Sequence, residues 1–166
     1  TVTVTFTGEN DGLRVKTYNG TTGYSNLNPI SNLMAKPPTG TSVQVADLEY
    51  GDVDFPSIFP GLTSNDNISI LWTGWFKVST DGPGDYTFGT NVDDGSVVYF
   101  DLNNDGDFED AGELIVDNPS CCGVKLGTVN LNMDWVRIAI GFYQGGGPKA
   151  MTARFKKGTG IAWESL

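Results

Sequence analysis

The chain has 166 residues, 39% of them hydrophobic, which suits one domain with a sizeable core and excludes a disordered chain. Its 20 acidic against 10 basic residues give a formal net charge of −10, which repels phosphate backbones, so we expect no nucleic-acid partner. The sequence contains no histidine, which removes Ser-His-Asp and Cys-His catalysis and the usual zinc ligand.

Short segments with a period of two run along the chain, and this period is typical of half-buried β-strands. The first alternates Val2, Val4 and Phe6 with threonines. The other predicted strands cover residues 13–18, 43–48, 68–78, 86–92, 97–100, 136–142 and 151–155. Trp72 and Trp75 lie in the most apolar of them, which predicts a core position for both. Because 22 glycines and 8 prolines punctuate the chain and no window has a helical period, we predict an all-β sandwich or barrel with long loops.

The chain begins at Thr1 and has no apolar run long enough to cross a membrane. We therefore expect a domain of a larger secreted or cell-surface protein, monomeric within that multidomain chain and without direct membrane insertion. Its 2 cysteines, Cys121 and Cys122, are adjacent and too few for a thiolate zinc site. They either close a vicinal disulfide or remain as two thiols.

Asp93 and Asp94 form a pair of adjacent carboxylates between two predicted strands, in the segment NVDDGS. The two carboxylates repel each other, and a divalent cation would offset that repulsion if both faced one point. Neighbouring side chains of an extended chain point to opposite faces, so binding one ion requires an unusual backbone, such as a cis peptide bond. An ordinary Asp-Asp-Gly turn is the other interpretation of these residues.

A second acidic segment, residues 101–113, reads DLNNDGDFEDAGE. Oxygen-bearing side chains recur at every second residue, a spacing that lets a tightly curled loop direct them at one Ca²⁺ ion. We predict a structural calcium site here, distinct from the aspartate pair, because so many carboxylates repel one another without a cation. A solvated acidic turn is the alternative. The predicted ligands are Asp101, Asn103, Asp105, Asp107 and Glu113.

Three motifs follow one another in the second half of the chain. They are WTGWFKVSTDGPGDYTFGTNVDDGSVVYFD at 72–101, LIVDN at 114–118 and RIAIGFYQGGGPKAMTARF at 137–155. In order and spacing this series resembles the PA14 domain family, over a match that runs from about Leu13 to Phe155. The resemblance implies a β-sandwich, and it identifies residues 1–166 as a single PA14-like module of a secreted adhesin.

The resemblance is to the lectin-like branch of that family, in which two aspartates joined by a cis peptide bond hold calcium. It implies a calcium-dependent sugar-binding module, with sugar hydroxyls completing the shell of the ion. A second loop would supply further ligands. The residues implied to hold Ca²⁺ are Asp93, Asp94, Gln144, Gly145 and Gly146. Those expected to contact sugar are Asp93, Asp94, Gln144, Gly147, Tyr143 and Lys149.

We expect the partners to be cell-surface glycans or polysaccharides with vicinal hydroxyls, of the fucose, glucose or mannose type. We expect no catalysis, because Asp93 and Asp94 are too close in sequence to flank a glycosidic bond from opposite sides. Two alternatives remain. One is a calcium-braced structural domain of an adhesin that binds no sugar, and the other is a non-catalytic attachment to a glycosidase.

Overall fold

The computed structural model describes residues 12–21, 23–44, 47–78 and 81–166; the predicted strand from Val2 to Phe6 lies outside these ranges. Ten strands and two short α-helices form within them. The strands are β1 (Leu13–Asn19), β2 (Gly40–Gln44), β3 (Glu49–Tyr50), β4 (Ile68–Lys77), β5 (Gly84–Asp93), β6 (Gly95–Asp101), β7 (Leu114–Asn118), β8 (Gly123–Leu131), β9 (Trp135–Gln144) and β10 (Ala150–Lys157). The helices are α1 (Ser31–Met34) and α2 (Phe55–Ile58).

The strands form two antiparallel sheets. One has six strands in the order β2-β1-β4-β9-β6-β7, and the other has four in the order β3-β10-β5-β8. The longest register in the first sheet joins β4 to β9, from Ile68 opposite Gln144 to Lys77 opposite Trp135. These observations confirm the predicted all-β sandwich. In the described ranges, no helix is long and apolar enough to cross a membrane.

Aromatic side chains fill the space between the two sheets. Phe76 of β4 meets Phe88 of β5 and Phe155 of β10, with ring centroids 5.3 and 4.9 Å apart. The rings are nearly perpendicular, at 73° and 88°, which is the edge-to-face arrangement that aromatic pairs favour. The contacts join the two sheets, so this cluster is the main core of the sandwich.

The six-stranded sheet is covered on its outer face as well. There Val97 and Tyr99 of β6 pack with Leu33 of α1 in a second apolar cluster. The alternate residues of the same strand, Val98 and Phe100, face the main core. Every residue of β6 is buried, which explains why residues 97–100 form a continuous apolar run and do not alternate with polar residues.

The two tryptophans of β4 have different environments. Trp72 is fully buried, as predicted, but Trp75 is 44% exposed, so the predicted core position of Trp75 is wrong. The two residues are three apart, and an odd spacing in a strand places side chains on opposite faces.

Candidate functional site

The peptide bond between Asp93 and Asp94 is cis, at the connection from β5 to β6. Asp93 lies opposite Ala150 in the four-stranded sheet, and Gly95 lies opposite Tyr143 in the six-stranded sheet. Asp94 therefore sits where the chain passes from one sheet to the other, at the end of the sandwich.

Negative charge is concentrated around this pair. Burial raises the pKa of the Asp93 carboxyl above its ordinary value, and the charges of Asp94 and Asp52 raise it further. Asp52 comes from the segment after β3 and was not predicted from the sequence. A carboxylate in such surroundings is stabilised by a cation, because the cation offsets both the lost hydration and the like charges.

The segment after β9, residues 145–147, lies against Asp94. The backbone N–H of Gly145 donates to Asp94 Oδ2 at 2.7 Å, and the carbonyl of Gly145 accepts from Asn67 N–H at 3.2 Å. A Cβ atom on Gly146 would lie 3.8 Å from Cγ of Asp66, so a further carboxylate borders the loop. Gly147 has φ 91°, a left-handed conformation that glycine adopts at little cost.

Gln144, the last residue of β9, is fully buried beside this loop. Its Nε2 donates to the carbonyl of Pro148 at 3.1 Å. Its Oε1 is buried without a hydrogen-bond partner among the described residues. A buried, unpaired amide oxygen is costly, and it is also an available ligand of the kind that calcium accepts.

Tyr143 and Lys149, both predicted sugar contacts, flank the loop. The hydroxyl of Tyr143 donates to the carbonyl of Pro119 at 2.8 Å, and burial together with the charge of Asp94 raises the pKa of Tyr143. Lys149 is only 9% exposed, and its Nζ lies 2.8 Å from Oδ1 of Asp52. The ammonium of Lys149 is therefore already engaged by a carboxylate that faces Asp93.

The adjacent cysteines lie at the same end of the sandwich. Cys121 and Cys122 form a disulfide in the connection from β7 to β8, and both residues are exposed. Their sulfur atoms and a carboxylate oxygen of Asp93 all lie within 4.8 Å of one another. The sequence left the state of the two cysteines open.

The loop of residues 101–113 lies at the other end of β6. Because β6 has seven residues, its ends are about 20 Å apart, which separates this loop from the aspartate pair. Asp101 is buried, and it accepts the N–H groups of Asp105 and Gly106 at 3.2 and 3.1 Å and pairs with Arg137 at 3.2 Å. The negative charge of Asp101 is therefore stabilised by two backbone N–H groups and by Arg137.

Glu113 closes the same loop from its other end. It is buried, and its carboxylate accepts the N–H groups of Leu102 at 2.7 Å and Asp110 at 3.2 Å. Asp101 and Glu113 thus hold the base of the loop, at the position where β6 ends.

Three exposed carboxylates meet at the tip of the loop. Oxygen atoms of Asp105, Asp107 and Asp110 lie within 4.8 Å of one another, and Asn103 Nδ2 donates to Asp105 at 3.1 Å. The N–H of Asp107, followed by the amide of Asn103, lowers the pKa of Asp105. Asp110 was not among the predicted ligands, because the prediction followed every second residue from Asp101 and this series does not include residue 110.

No protein-family model matches the sequence, and no match was found among curated proteins. Solved structures do match. The PA14 domain of the antifreeze protein MpAFP superposes with a TM-score of 0.62 at 15% identity, over 91% of this chain and 84% of that one. The A domain of epithelial adhesin 9 from Candida glabrata, in complex with Galβ1-4GlcNAc, has a TM-score of 0.68 at 14% identity, over 94% and 87%.

A third match is part of an enzyme. A β-glucosidase from Kluyveromyces marxianus, in complex with glucose, has a TM-score of 0.61 at 15% identity, over 94% of this chain and 18% of that one. These matches confirm the predicted resemblance at the level of the fold. The chain therefore has the fold of PA14 domains, with adhesin domains solved in complex with sugars among its structural neighbours.

Proposed function

We propose that the chain is a calcium-dependent carbohydrate-binding module that attaches a secreted or cell-surface protein to glycans. The observation that carries this proposal is the pair of adjacent carboxylates, Asp93 and Asp94, held against the loop that follows Gln144 by the N–H of Gly145. Gln144 itself has a buried amide oxygen with no hydrogen-bond partner among the described residues. Carboxylate and amide oxygens are the donors that Ca²⁺ prefers, and two carboxylates match its charge. The residues present therefore fit a calcium ion.

Each residue of the site has a distinct task in this proposal. Asp93 and Asp94 supply the charged oxygens, and Gln144 Oε1 and the carbonyl groups of Gly145 and Gly146 supply neutral ones. The N–H of Gly145 fixes Oδ2 of Asp94, which leaves Oδ1 for the cation. Calcium, when bound, offers its remaining coordination positions to two neighbouring hydroxyls of a sugar. Mg²⁺ is a poor substitute because it keeps its waters and demands octahedral geometry.

Binding without catalysis suits the spacing of the carboxyl groups. In glycosidases the two catalytic carboxyl groups are roughly 5–9.5 Å apart, so that they flank the scissile bond. Asp93 and Asp94 are adjacent residues of one chain connection, which does not suit two carboxyl groups that flank a glycosidic bond from opposite sides. The adhesin domain with the same fold was solved in complex with Galβ1-4GlcNAc, which supports a glycan as the ligand class.

A glycan array, probed in Ca²⁺, in Mg²⁺ and with chelator, tests the proposal. Fucose, glucose, mannose and Galβ1-4GlcNAc should be included because each presents neighbouring hydroxyls. We expect binding in Ca²⁺ that chelator abolishes and Mg²⁺ does not restore. An array without calcium-dependent binding would favour a domain that serves only as a structural spacer.

We further propose that the loop of residues 101–113 holds a structural calcium ion. Asp101, Asn103, Asp105, Asp107 and Glu113 were predicted for it, and the position of Asp110 adds a sixth candidate. Hydrogen bonds hold Asp101 and Glu113 at the base of the loop, which leaves the exposed carboxylates at the tip as the principal ligands.

The Asp105→Ala variant should melt at a lower temperature than the wild-type chain in Ca²⁺ and at nearly the same temperature in chelator. A ligand present at 100 times its Kd stabilises the folded state by about 2.7 kcal/mol, and the variant loses much of that gain. Glu109→Ala, an exposed acid in the same loop, is the matched control and should melt like the wild type. Equal melting of the wild-type chain and Asp105→Ala in Ca²⁺ would show that the loop holds no ion.

A further inference from the structure

The disulfide between Cys121 and Cys122 borders the aspartate pair on one side. Its two sulfur atoms lie within 4.8 Å of a carboxylate oxygen of Asp93, and both cysteines are exposed. Asp94, the other member of the pair, contacts the backbone of Gly145. The pair is thus bordered by sulfur at Asp93 and by polar backbone at Asp94.

Contacts on both sides hold the disulfide in place. Asn118 is buried, and its Nδ2 donates to the carbonyl of Gly123 at 2.9 Å and to Thr90 Oγ1 at 3.3 Å. The hydroxyl of Tyr143 donates to the carbonyl of Pro119 at 2.8 Å. Because the residues before and after the disulfide are tied to β5, β8 and β9, the sulfur atoms stay beside Asp93.

A disulfide presents a surface unlike the rest of the site. It has no N–H or O–H group, its sulfur atoms are polarizable, and they accept hydrogen bonds only weakly. A pyranose also has two kinds of surface, hydroxyl groups at its edge and C–H groups on its faces. A sugar that turns two hydroxyls toward the aspartate pair brings its C–H groups toward the neighbouring walls of the site. Contact between these C–H groups and an apolar wall removes the surfaces of both from water.

We propose that the Cys121–Cys122 disulfide is the apolar wall of the sugar site and contacts C–H groups of the bound pyranose. This inference rests on the proposed calcium-dependent sugar binding and adds a specific contact to it. The disulfide then contributes to the affinity for sugar, while the affinity for Ca²⁺ depends on the aspartates.

The double variant Cys121→Ala/Cys122→Ala separates these two contributions. Calorimetry should measure Ca²⁺ binding alone and then fucose, glucose, mannose and Galβ1-4GlcNAc in saturating Ca²⁺. We expect sugar affinity to fall by about fivefold, since several carbon–sulfur contacts are lost, with Ca²⁺ affinity changed less than about twofold. Ser120→Ala, an exposed neighbour in the same connection, is the control and should change neither affinity.

Two results from the double variant would overturn the inference. Unchanged sugar affinity would mean that the sulfur atoms do not touch the sugar. Equal losses of Ca²⁺ and sugar affinity would mean that the disulfide only positions Asp93. If the wild-type chain itself binds none of these sugars in Ca²⁺, the proposed function fails as well, which is a distinguishable outcome.

A measurement on the wild-type chain needs no substitution. The chain has only 2 cysteines, so labelling with ¹³C-cysteine marks the disulfide alone. Isotope-filtered NOE spectra in Ca²⁺ and sugar should show cross-peaks between cysteine β-protons and sugar C–H protons. Sugar binding without such cross-peaks would overturn the inference.

Discussion

The Asp94→Ala variant is expected to lose calcium-dependent sugar binding, with a fall in affinity of about 100-fold or more. Substitution of a residue that merely supports a metal ligand costs about 10- to 100-fold, so loss of a charged ligand costs at least as much. The change also removes the acceptor for Gly145 N–H, which loosens the second loop. Calorimetric titration of fucose and Galβ1-4GlcNAc in saturating Ca²⁺ measures the loss.

Asp85→Ala is the matched control for this variant. Asp85 is an exposed acid near the start of β5, at the opposite end of the strand from Asp93, and its substitution changes the net charge equally. We expect wild-type sugar affinity from it. Because Asp94 lies at a chain connection outside the apolar core, its variant should keep the β-sheet circular dichroism of the wild type. Undiminished sugar binding by a folded Asp94→Ala protein would remove the aspartate pair from the site.

The Trp72→Ala variant is expected to lower the free energy of unfolding by about 3–5 kcal/mol, which is typical of an aromatic residue removed from a core. Trp72 is fully buried, its ring centroid lies 5.8 Å from that of Phe59, and its indole N–H donates to Gln44 Oε1 at 2.7 Å. The substitution therefore leaves a cavity and removes a partly buried hydrogen bond. Urea unfolding of variant and wild type, both in Ca²⁺, measures the difference.

Trp75→Ala is the control within the same strand. Trp75 is 44% exposed, so its removal should change the free energy of unfolding by less than about 1 kcal/mol. Similar losses for both variants would contradict the assignment of the two faces of β4.

Sequence periodicity predicted the strands that have one buried and one more exposed face. It failed for strands in which burial does not alternate from residue to residue. β9 carries Val136, Ile138 and Ile140 on the core face, and the pattern is visible in the sequence. β8 was not predicted, because seven of its nine residues are exposed or half-buried at a sheet edge, so no apolar stripe marks it. The tryptophans of β4 were assigned by composition, although their odd spacing already places them on opposite faces.

The aspartate pair was proposed from the sequence because its residues are adjacent and belong to a recognisable motif. Its surroundings come from distant segments. Asp52 follows β3, Asp66 precedes β4, and the disulfide precedes β8, so only the topology of the two sheets brings them to one end. Each is an ordinary residue in its own segment. No local spacing distinguishes them. Lys149 was predicted as a sugar contact, but its burial and its ion pair with Asp52 were not predicted.

A crystal structure of the chain grown with Ca²⁺ and the sugar bound best on the glycan array tests the central claim most directly. We predict one calcium ion held by carboxylate oxygens of Asp93 and Asp94, at about 2.3–2.6 Å, with two neighbouring sugar hydroxyls in its shell. Sugar bound elsewhere, or sugar bound beside Asp93 and Asp94 without an ion between them, would contradict the account.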